Sequence, residues 1–170
     1  PVIFYSMIIG NTVHFIHLAY PTDIVTDIRN YNHFNPKELN PILKLAICED
    51  NPSHYEIIHT ILQKYPPGFF KIQLTHFTSG DEFLRAAAEN GCPYSIVLTD
   101  IDLGSDAVNG ISLAEKINYI SPDTQIIFIS QHLKYASSVY ETNHVYFVYK
   151  QQMAEYLPKA LSAACQKIYN

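Results

Sequence analysis

The stretch PYSIVLTDIDLGSDAVNG, residues Pro93–Gly110, contains an apolar run that leads directly to an acid. Ile96–Leu98 have the composition of a buried strand and are bounded by residues typical of turns. Asp102 and Asp106 follow in a segment that is typical of a loop. Because an apolar strand rarely ends in a carboxylate without a partner, Asp100 is the first candidate for a functional residue.

Strand and helix patterns alternate on both sides of this stretch. The predicted strands are 43–48, 69–77, 94–100, 124–130 and 144–150, and the predicted helices are 52–65, 80–91, 109–120, 133–142 and 152–169. Ser79 and Glu82 form a capping box at the second helix, and Gly91 ends it. Pro158 is expected to kink or delay the last helix. Five such units predict an α/β fold, in which helices cover both faces of a parallel sheet.

Charged and hydroxyl side chains follow four of the predicted strands. Glu49 and Asp50 follow the first, Asp100 ends the third, Ser130 the fourth and Lys150 the fifth. The carboxyl ends of parallel strands meet at one edge of the sheet, where ligands bind. Crowded carboxylates repel one another unless a cation joins them, and Mg²⁺ prefers oxygen ligands. The sequence therefore predicts a Mg²⁺ site beside groups that can bind a phosphoryl group.

Residues 1–43 are interpreted as an N-terminal extension and residues 44–170 as the main domain. Apolar runs on both sides of Gly10-Asn11 predict a β-hairpin, and the Asn- and Pro-containing stretch that ends near Pro41 predicts a linker. Polar residues interrupt the apolar runs, which disfavours a transmembrane helix. The first basic residue is Arg29, which disfavours a secretory signal.

Composition narrows the classes of partner. The 170 residues carry a formal net charge of -5 and contain no basic block, so direct binding of nucleic acid by this chain is not expected. Cys48, Cys92 and Cys165 have the spacing of neither metal ligands nor a disulfide framework, which favours a reducing cytoplasm. His14 and His17 would lie on opposite faces of a strand, which disfavours a metal site there.

Six segments in this order resemble the receiver domains of two-component response regulators. Within residues 43–168 they are LKLAICEDNPSHYEIIHTIL, FTSGDEFL, IVLTDIDL, NGISLAEKI, IIFISQHLKYASSVYE and YFVYK. The segments FTSGDEFL, FISQHLKYA and SVYE are most similar to receivers that precede LytTR-type DNA-binding domains. The resemblance implies a flavodoxin-like (βα)5 fold with the parallel strand order 2-1-3-4-5.

The resemblance implies a site made of four acids. Asp100 matches the phosphoacceptor, and Glu49 and Asp50 match the acidic pair that binds Mg²⁺. Asp102 matches the residue whose backbone carbonyl completes the metal site. Asp100 would take a phosphoryl group from a phosphohistidine on a sensor histidine kinase and form an acyl phosphate. Such a domain modifies only itself and is not an enzyme in the usual sense.

Three further residues match the family's switch. Ser130 matches the switch hydroxyl, Lys150 the phosphate-binding lysine and Phe147 the aromatic switch residue. Phosphorylation would bias the surface made by the fourth helix, the fifth strand and the fifth helix, which is also the candidate surface of a homodimer. The implied output is a LytTR domain that regulates transcription outside this chain. The implied location is the cytoplasm, without membrane contact.

Two features depart from the family pattern. The loop after the acceptor usually reads D-x-x-x-P-G-x-x-G, whereas Gly110 comes ten residues after Asp100 and the proline is absent. The loop is therefore expected to be longer and looser. Gln151 stands where the family usually has proline after the lysine, which is expected to relax the placement of Lys150.

Two alternative functions stay open at this point. The altered loop favours a pseudo-receiver, which would act as a protein-interaction module without phosphorylation. The segment IVLTDIDLGS also resembles the DxD nucleophile motif of haloacid-dehalogenase-like phosphatases, with Ser130 and Lys150 as the distal residues. The acidic pair Glu49-Asp50, which precedes the nucleophile, favours the receiver over the phosphatase.

Overall fold

The computed structural model describes residues 3–9, 12–18, 42–64, 71–104 and 108–169. These residues divide into two compact units. In the first unit, strand β1 (Ile3–Ile9) pairs antiparallel with β2 (Thr12–Leu18), with Ile9 opposite Thr12. This pairing is that of a hairpin. The turn at Gly10-Asn11 and the predicted linker up to Pro41 lie outside the described residues.

The second unit contains five strands and four α-helices. In chain order they are β3 (Ile42–Cys48), α1 (Pro52–Lys64), β4 (Lys71–Phe77), α2 (Gly80–Asn90), β5 (Ile96–Asp100), α3 (Gly110–Ile120), β6 (Gln125–Ser130), β7 (Tyr146–Tyr149) and α4 (Met153–Tyr169). The sheet order is β4-β3-β5-β6-β7, and the pairs β3·β5, β5·β6 and β6·β7 are parallel. The predicted α/β fold and the strand order 2-1-3-4-5 are confirmed.

The central strand β5 is buried along its whole length. Its residues Ile96, Val97 and Leu98 are fully inaccessible to solvent. A strand with sheet neighbours on both sides and helices on both faces must be apolar in both pleat directions, which explains the unbroken apolar run. The same burial makes Asp100, at its end, an exception that requires partners.

Local hydrogen bonds fix the starts of the helices. Ser79 caps α2 by accepting a hydrogen bond of 3.1 Å from the N–H of Glu82. The carboxylate of Glu82 accepts from the N–H of Thr78, one residue before the cap, so the capping box is shifted by one position. Asn109 caps α3 by accepting from the N–H of Ser112. Gly91 ends α2 with a φ of 75°.

The segment after β6 differs from the prediction. Instead of the expected α-helix over 133–142, the structure has two 3-10 turns, Leu133–Ala136 and Ser138–Glu141. No side chain caps either turn, and the segment contains the weak helix formers Ser137 and Ser138. Thr142 donates a hydrogen bond of 2.7 Å to the carbonyl of Val139, which closes the second turn.

The last helix begins at Met153 and runs through Pro158, so the expected delay does not occur, while the alternative of a kink stays a prediction. A short 3-10 turn, Lys150–Gln152, leads into it. Among the described residues, none of the helices is both long and apolar enough to cross a membrane.

Candidate functional site

Lys150 joins two of the predicted acids at the carboxyl edge of the sheet. Its Nζ lies 2.6 Å from Oδ2 of Asp100 and 2.9 Å from Oε2 of Glu49. It also donates a hydrogen bond of 3.1 Å to Oε1 of Glu49. The three side chains are nearly buried, at 6% exposure for Lys150, 6% for Asp100 and 1% for Glu49. Strand order explains the meeting, since β3, β5 and β7 end at the same edge.

Asp50 adds a third carboxylate to this edge. Carboxylate oxygens of Glu49, Asp50 and Asp100 all lie within 4.8 Å of one another. Asp50 itself is exposed, so the cluster is open to solvent on one side. Oε2 of Glu49 is buried and lies 2.9 Å from the ammonium of Lys150, in an ion pair that lacks hydrogen-bond geometry. Three carboxylates whose oxygens lie this close together fit Mg²⁺, which prefers oxygen ligands.

Burial raises the pKa of Asp100 above its ordinary value. The hydrogen bond and the positive charge of Lys150 act in the opposite direction, while the negative charge of Glu49 adds to the rise. Desolvation is the largest cause. The ionised carboxylate is therefore costly in this position, and an added cation would stabilise it.

Both carboxylate oxygens of Asp100 have a partner within the protein. Oδ2 accepts from Lys150, and Oδ1 accepts a hydrogen bond of 3.2 Å from the N–H of Asp102. The side chain of Asp102 turns away and accepts a hydrogen bond of 2.9 Å from the hydroxyl of Tyr135. Asp102 thus contacts Asp100 through its backbone N–H, while the role of its backbone carbonyl at a metal site stays a prediction.

Ser130 and Phe147 lie on the two strands beyond β5. Ser130 is fully buried, and its Oγ accepts a hydrogen bond of 3.1 Å from the N–H of His132. It follows Ile129, which is the register partner of Asp100. Phe147 is half-buried, packs against the main hydrophobic core and lies opposite Phe128. Ser130 thus ends the strand next to β5, and Phe147 lies on β7, the strand beyond it.

Glycines hold the two ends of the loop that follows β5. Gly104 has a φ of 58°, and a Cβ there would come within 2.5 Å of Oδ2 of Asp50. A Cβ on Gly110 would overlap the carbonyl oxygen of Asp100. The N–H of Gly110 donates a hydrogen bond of 2.9 Å to the carbonyl of Ile101. The loop is thus fixed close to the acids at both ends. Residues 105–107, including Asp106, lie outside the described residues.

The position of Lys150 is fixed without a following proline. Gln151 lies in the 3-10 turn Lys150–Gln152, and the ammonium of Lys150 contacts three side chains. The expected relaxation of Lys150 concerns its motion and stays a prediction.

Two residues of the site were not predicted from the sequence. His54, in the first turns of α1, brings Nδ1 to 2.8 Å from Nζ of Lys150. Tyr135, in the first 3-10 turn, bonds to Asp102. No spacing in the sequence identifies His54, because its contact with Lys150 depends on how α1 lies against the edge of the sheet. Tyr135 has no signal either, because its position depends on the turn geometry after β6.

Comparisons with known proteins agree with this fold. The family model of the response regulator receiver domain matches residues 45–162. The accessory gene regulator protein A of Staphylococcus aureus strain N315 is 31% identical over 116 residues, which are 66% of this chain and 48% of that protein. The chain thus spans about half the length of this curated relative.

Solved structures share the fold. A receiver domain protein from Clostridium thermocellum has a TM-score of 0.60 at 19% identity, covering 74% of this chain and 95% of its own. RcsB of Salmonella typhimurium has a TM-score of 0.63 at 22% identity, covering 75% of this chain and 62% of its own. A structure of RcsB from Salmonella enterica serovar Typhimurium, bound to promoter rprA in the presence of phosphomimetic BeF3-, has a TM-score of 0.62 at 20% identity. It covers 73% of this chain and 62% of its own. Because the family model matches more than half of the chain, the chain belongs to the receiver domains of two-component response regulators.

Proposed function

We propose that Asp100 accepts a phosphoryl group in a Mg²⁺-dependent reaction. The observation that carries this proposal is the buried contact of 2.6 Å between Asp100 and Lys150 inside a cluster of three carboxylates. A nucleophile, a fixed cation and oxygen ligands for a divalent ion are the groups that phosphoryl transfer needs.

Each residue of the cluster has a separate task in this reaction. One carboxylate oxygen of Asp100 attacks phosphorus, and the bond from phosphorus to the donor nitrogen of a phosphohistidine breaks. The N–H of Asp102 and the ammonium of Lys150 hold the attacking carboxylate in place. Glu49, Asp50, Asp100 and the backbone carbonyl of Asp102 would hold Mg²⁺, which supplies charge neutralisation for the phosphoryl oxygens.

The switch is proposed to pass through Ser130 and Lys150 toward β7. The phosphoryl group adds negative charge beside Lys150, which in this structure is shared with Glu49. A hydroxyl at Ser130 can donate to a phosphoryl oxygen once it turns from its present role as acceptor. The equilibrium between two conformations would then change at the adjacent surface, which consists of Phe147, the 3-10 turns and α4. This surface is also the candidate homodimer surface.

The partners follow from the family. A sensor histidine kinase is the proposed donor of the phosphoryl group, and transcription regulation through a LytTR-type domain is the proposed output. Because the chain spans about half of the curated relative, this output would reside in another part of the protein. The proposed location is the cytoplasm, where both partners would be found.

Incubation with acetyl phosphate and Mg²⁺, followed by intact-protein mass spectrometry, tests the proposal. We expect one added phosphoryl group on the wild type and none on Asp100→Asn or after chelation of the metal. An unchanged mass of a folded, Mg²⁺-binding wild type would overturn the proposal in favour of a pseudo-receiver. Steady release of phosphate from p-nitrophenyl phosphate would overturn it in favour of a phosphatase.

A further inference from the structure

The ammonium of Lys150 has three N–H donors and three different side chains as acceptors. Asp100 accepts at 2.6 Å, Glu49 accepts at 3.1 Å, and Nδ1 of His54 lies at 2.8 Å. Two of these acceptors are acids of the candidate metal site. His54 is the member of the set that is not a carboxylate, and it belongs to α1.

The direction of the contact with His54 follows from the chemistry of lysine. An ammonium only donates hydrogen bonds, so Nδ1 of His54 accepts and the ring proton resides on Nε2. The distance of 3.2 Å between Nδ1 and Oε1 of Glu49 then joins two acceptors and is not a hydrogen bond. Lys150 lies against both atoms, and its positive charge makes their proximity favourable.

The backbone of α1 fixes the position of His54. The side chain of Asn51 accepts from the N–H of Ser53 at 2.9 Å and from the N–H of His54 at 3.3 Å. His54 therefore begins in a capped first turn that directly follows the acids Glu49 and Asp50. Its ring is 29% exposed, so most of it is in contact with the protein.

Metal binding makes different demands on the three acceptors. Oxygen atoms of Glu49 and Asp100 are ligands that Mg²⁺ prefers, whereas the nitrogen of His54 is not. When lone pairs of Glu49 and Asp100 are given to a metal ion, His54 is the one of the three acceptors that Lys150 keeps in full. We propose, on the basis of the proposed function, that His54 is a positioning residue that holds Lys150 beside Asp100 while Glu49 binds Mg²⁺.

The loss of His54 affects the metal-free and the metal-bound protein unequally. Without metal, the freed N–H of Lys150 can turn to Oε2 of Glu49, which already lies 2.9 Å away and has no hydrogen bond. With metal bound, Glu49 is engaged and the N–H has no such replacement. Removal of the acceptor therefore weakens Mg²⁺ binding more than it destabilises the metal-free fold.

A matched pair of variants at one position tests this proposal. His54→Asn keeps an acceptor oxygen near the place of Nδ1, whereas His54→Leu keeps the volume and removes the acceptor. His59→Leu, on the same helix, is the control, because His59 stacks on Tyr55 at 5.7 Å and contacts Gln63 at 3.5 Å rather than Lys150. Titration calorimetry with Mg²⁺ and the rate of phosphorylation by acetyl phosphate at saturating Mg²⁺ are measured for each variant.

We expect His54→Leu to weaken Mg²⁺ binding about tenfold, which corresponds to about 1.4 kcal/mol. Its phosphorylation at saturating Mg²⁺ is also slower, while His54→Asn and His59→Leu remain close to the wild type.

Equal Mg²⁺ affinity in His54→Leu and the wild type overturns the proposal. An equal loss of Mg²⁺ affinity in His54→Leu and His54→Asn overturns it as well. If His54→Leu does not fold, His54→Ala gives the same comparison. A wild type that binds Mg²⁺ without becoming phosphorylated contradicts the proposed function, while the affinity comparison still tests His54.

Discussion

The hydroxyl of Tyr135 donates a hydrogen bond of 2.9 Å to Oδ1 of Asp102, two residues after Asp100. This bond joins the loop after β5 to the first 3-10 turn after β6. Nε2 of His132 lies 3.8 Å from the other oxygen of Asp102. The segment that replaces the expected fourth helix is therefore tied to the loop that carries the candidate phosphoacceptor.

Tyr135→Phe removes the hydrogen bond between Tyr135 and Asp102 with little change in side-chain volume. We expect a loss of about 0.5–1.5 kcal/mol in the free energy of unfolding, because the bond is partly exposed to solvent. Amide hydrogen exchange in residues 133–136 is also expected to become faster. Tyr140→Phe, at a position that is 81% exposed, is the control for urea denaturation. Equal stability and exchange in both variants would show that the tie contributes nothing.

Lys150→Met is expected to destabilise the metal-free protein by about 3–5 kcal/mol, because it leaves Glu49 and Asp100 buried without a cation. The loss is expected to be smaller at about pH 5 than at about pH 7, since protonation removes the uncompensated charge. Lys159→Met, which removes an exposed lysine paired with Glu155, is the control and is expected to change stability little. A pH-independent loss would argue against a charge effect.

Asp100→Asn is expected to stabilise the metal-free protein at neutral pH. Burial raises the native pKa of Asp100 above 3.8, so the native state binds more protons than the unfolded state as the pH falls toward 3.8. The ionised carboxylate thus costs stability above the native pKa, and this cost disappears at low pH. The gain in the variant should therefore shrink with falling pH in urea denaturation, whereas exposed Asp123→Asn should show no such gain. A gain that grows with falling pH would contradict this sign.

Mg²⁺ is expected to raise the melting temperature of the wild type, since a ligand that binds only the native state stabilises it. At one hundred times the dissociation constant the gain is about 2.7 kcal/mol. Asp50→Asn should leave the metal-free stability nearly unchanged, because Asp50 is exposed, and should remove most of the Mg²⁺-dependent gain. Thermal unfolding with and without Mg²⁺ measures both effects. A full gain in Asp50→Asn would exclude this residue from the metal site.

Gly110→Ala and Gly91→Ala separate a backbone collision from a conformational preference. Alanine at 110 meets the carbonyl oxygen of Asp100, which cannot move without disturbing β5, so we expect a loss of about 3 kcal/mol or failure to fold. Alanine at 91 meets no atom within 4 Å and suffers only from its backbone, whose φ of 75° and ψ of 178° lie in a region nearly restricted to glycine, at about 1–3 kcal/mol. Expression level and urea denaturation compare the two. Similar losses would mean that the contact at Gly110 is relieved by small shifts.

Much of the fold could be predicted because burial leaves a direct pattern in the sequence. The unbroken apolar residues of β5 and β6 indicated central strands, and Ser79 and Asn109 stand at the helix starts that they cap. The meeting of Glu49, Asp100 and Lys150 could also be predicted, since parallel strands end at one edge.

The remaining features depend on geometry that no periodic pattern encodes. Apolar residues in 133–142 favoured an α-helix, but the segment forms 3-10 turns whose position is tied to Asp102 through Tyr135. The contact of His54 with Lys150 joins residues 96 positions apart and needs the orientation of α1 against the edge of the sheet. Neither the turn type nor that orientation can be read from spacing.

The ion pair between Lys150 and Glu49 joins residues that are 101 positions apart, each directly after a strand, the first and the last of the five-stranded sheet in chain order. During synthesis, the acids therefore emerge from the ribosome long before their cation. Closing so long a segment is entropically slow, and it occurs only when β7 has joined the sheet. The mutual repulsion of Glu49 and Asp100 would thus oppose premature collapse of this edge, and the arrival of Lys150 would complete folding and assembly of the site in one step.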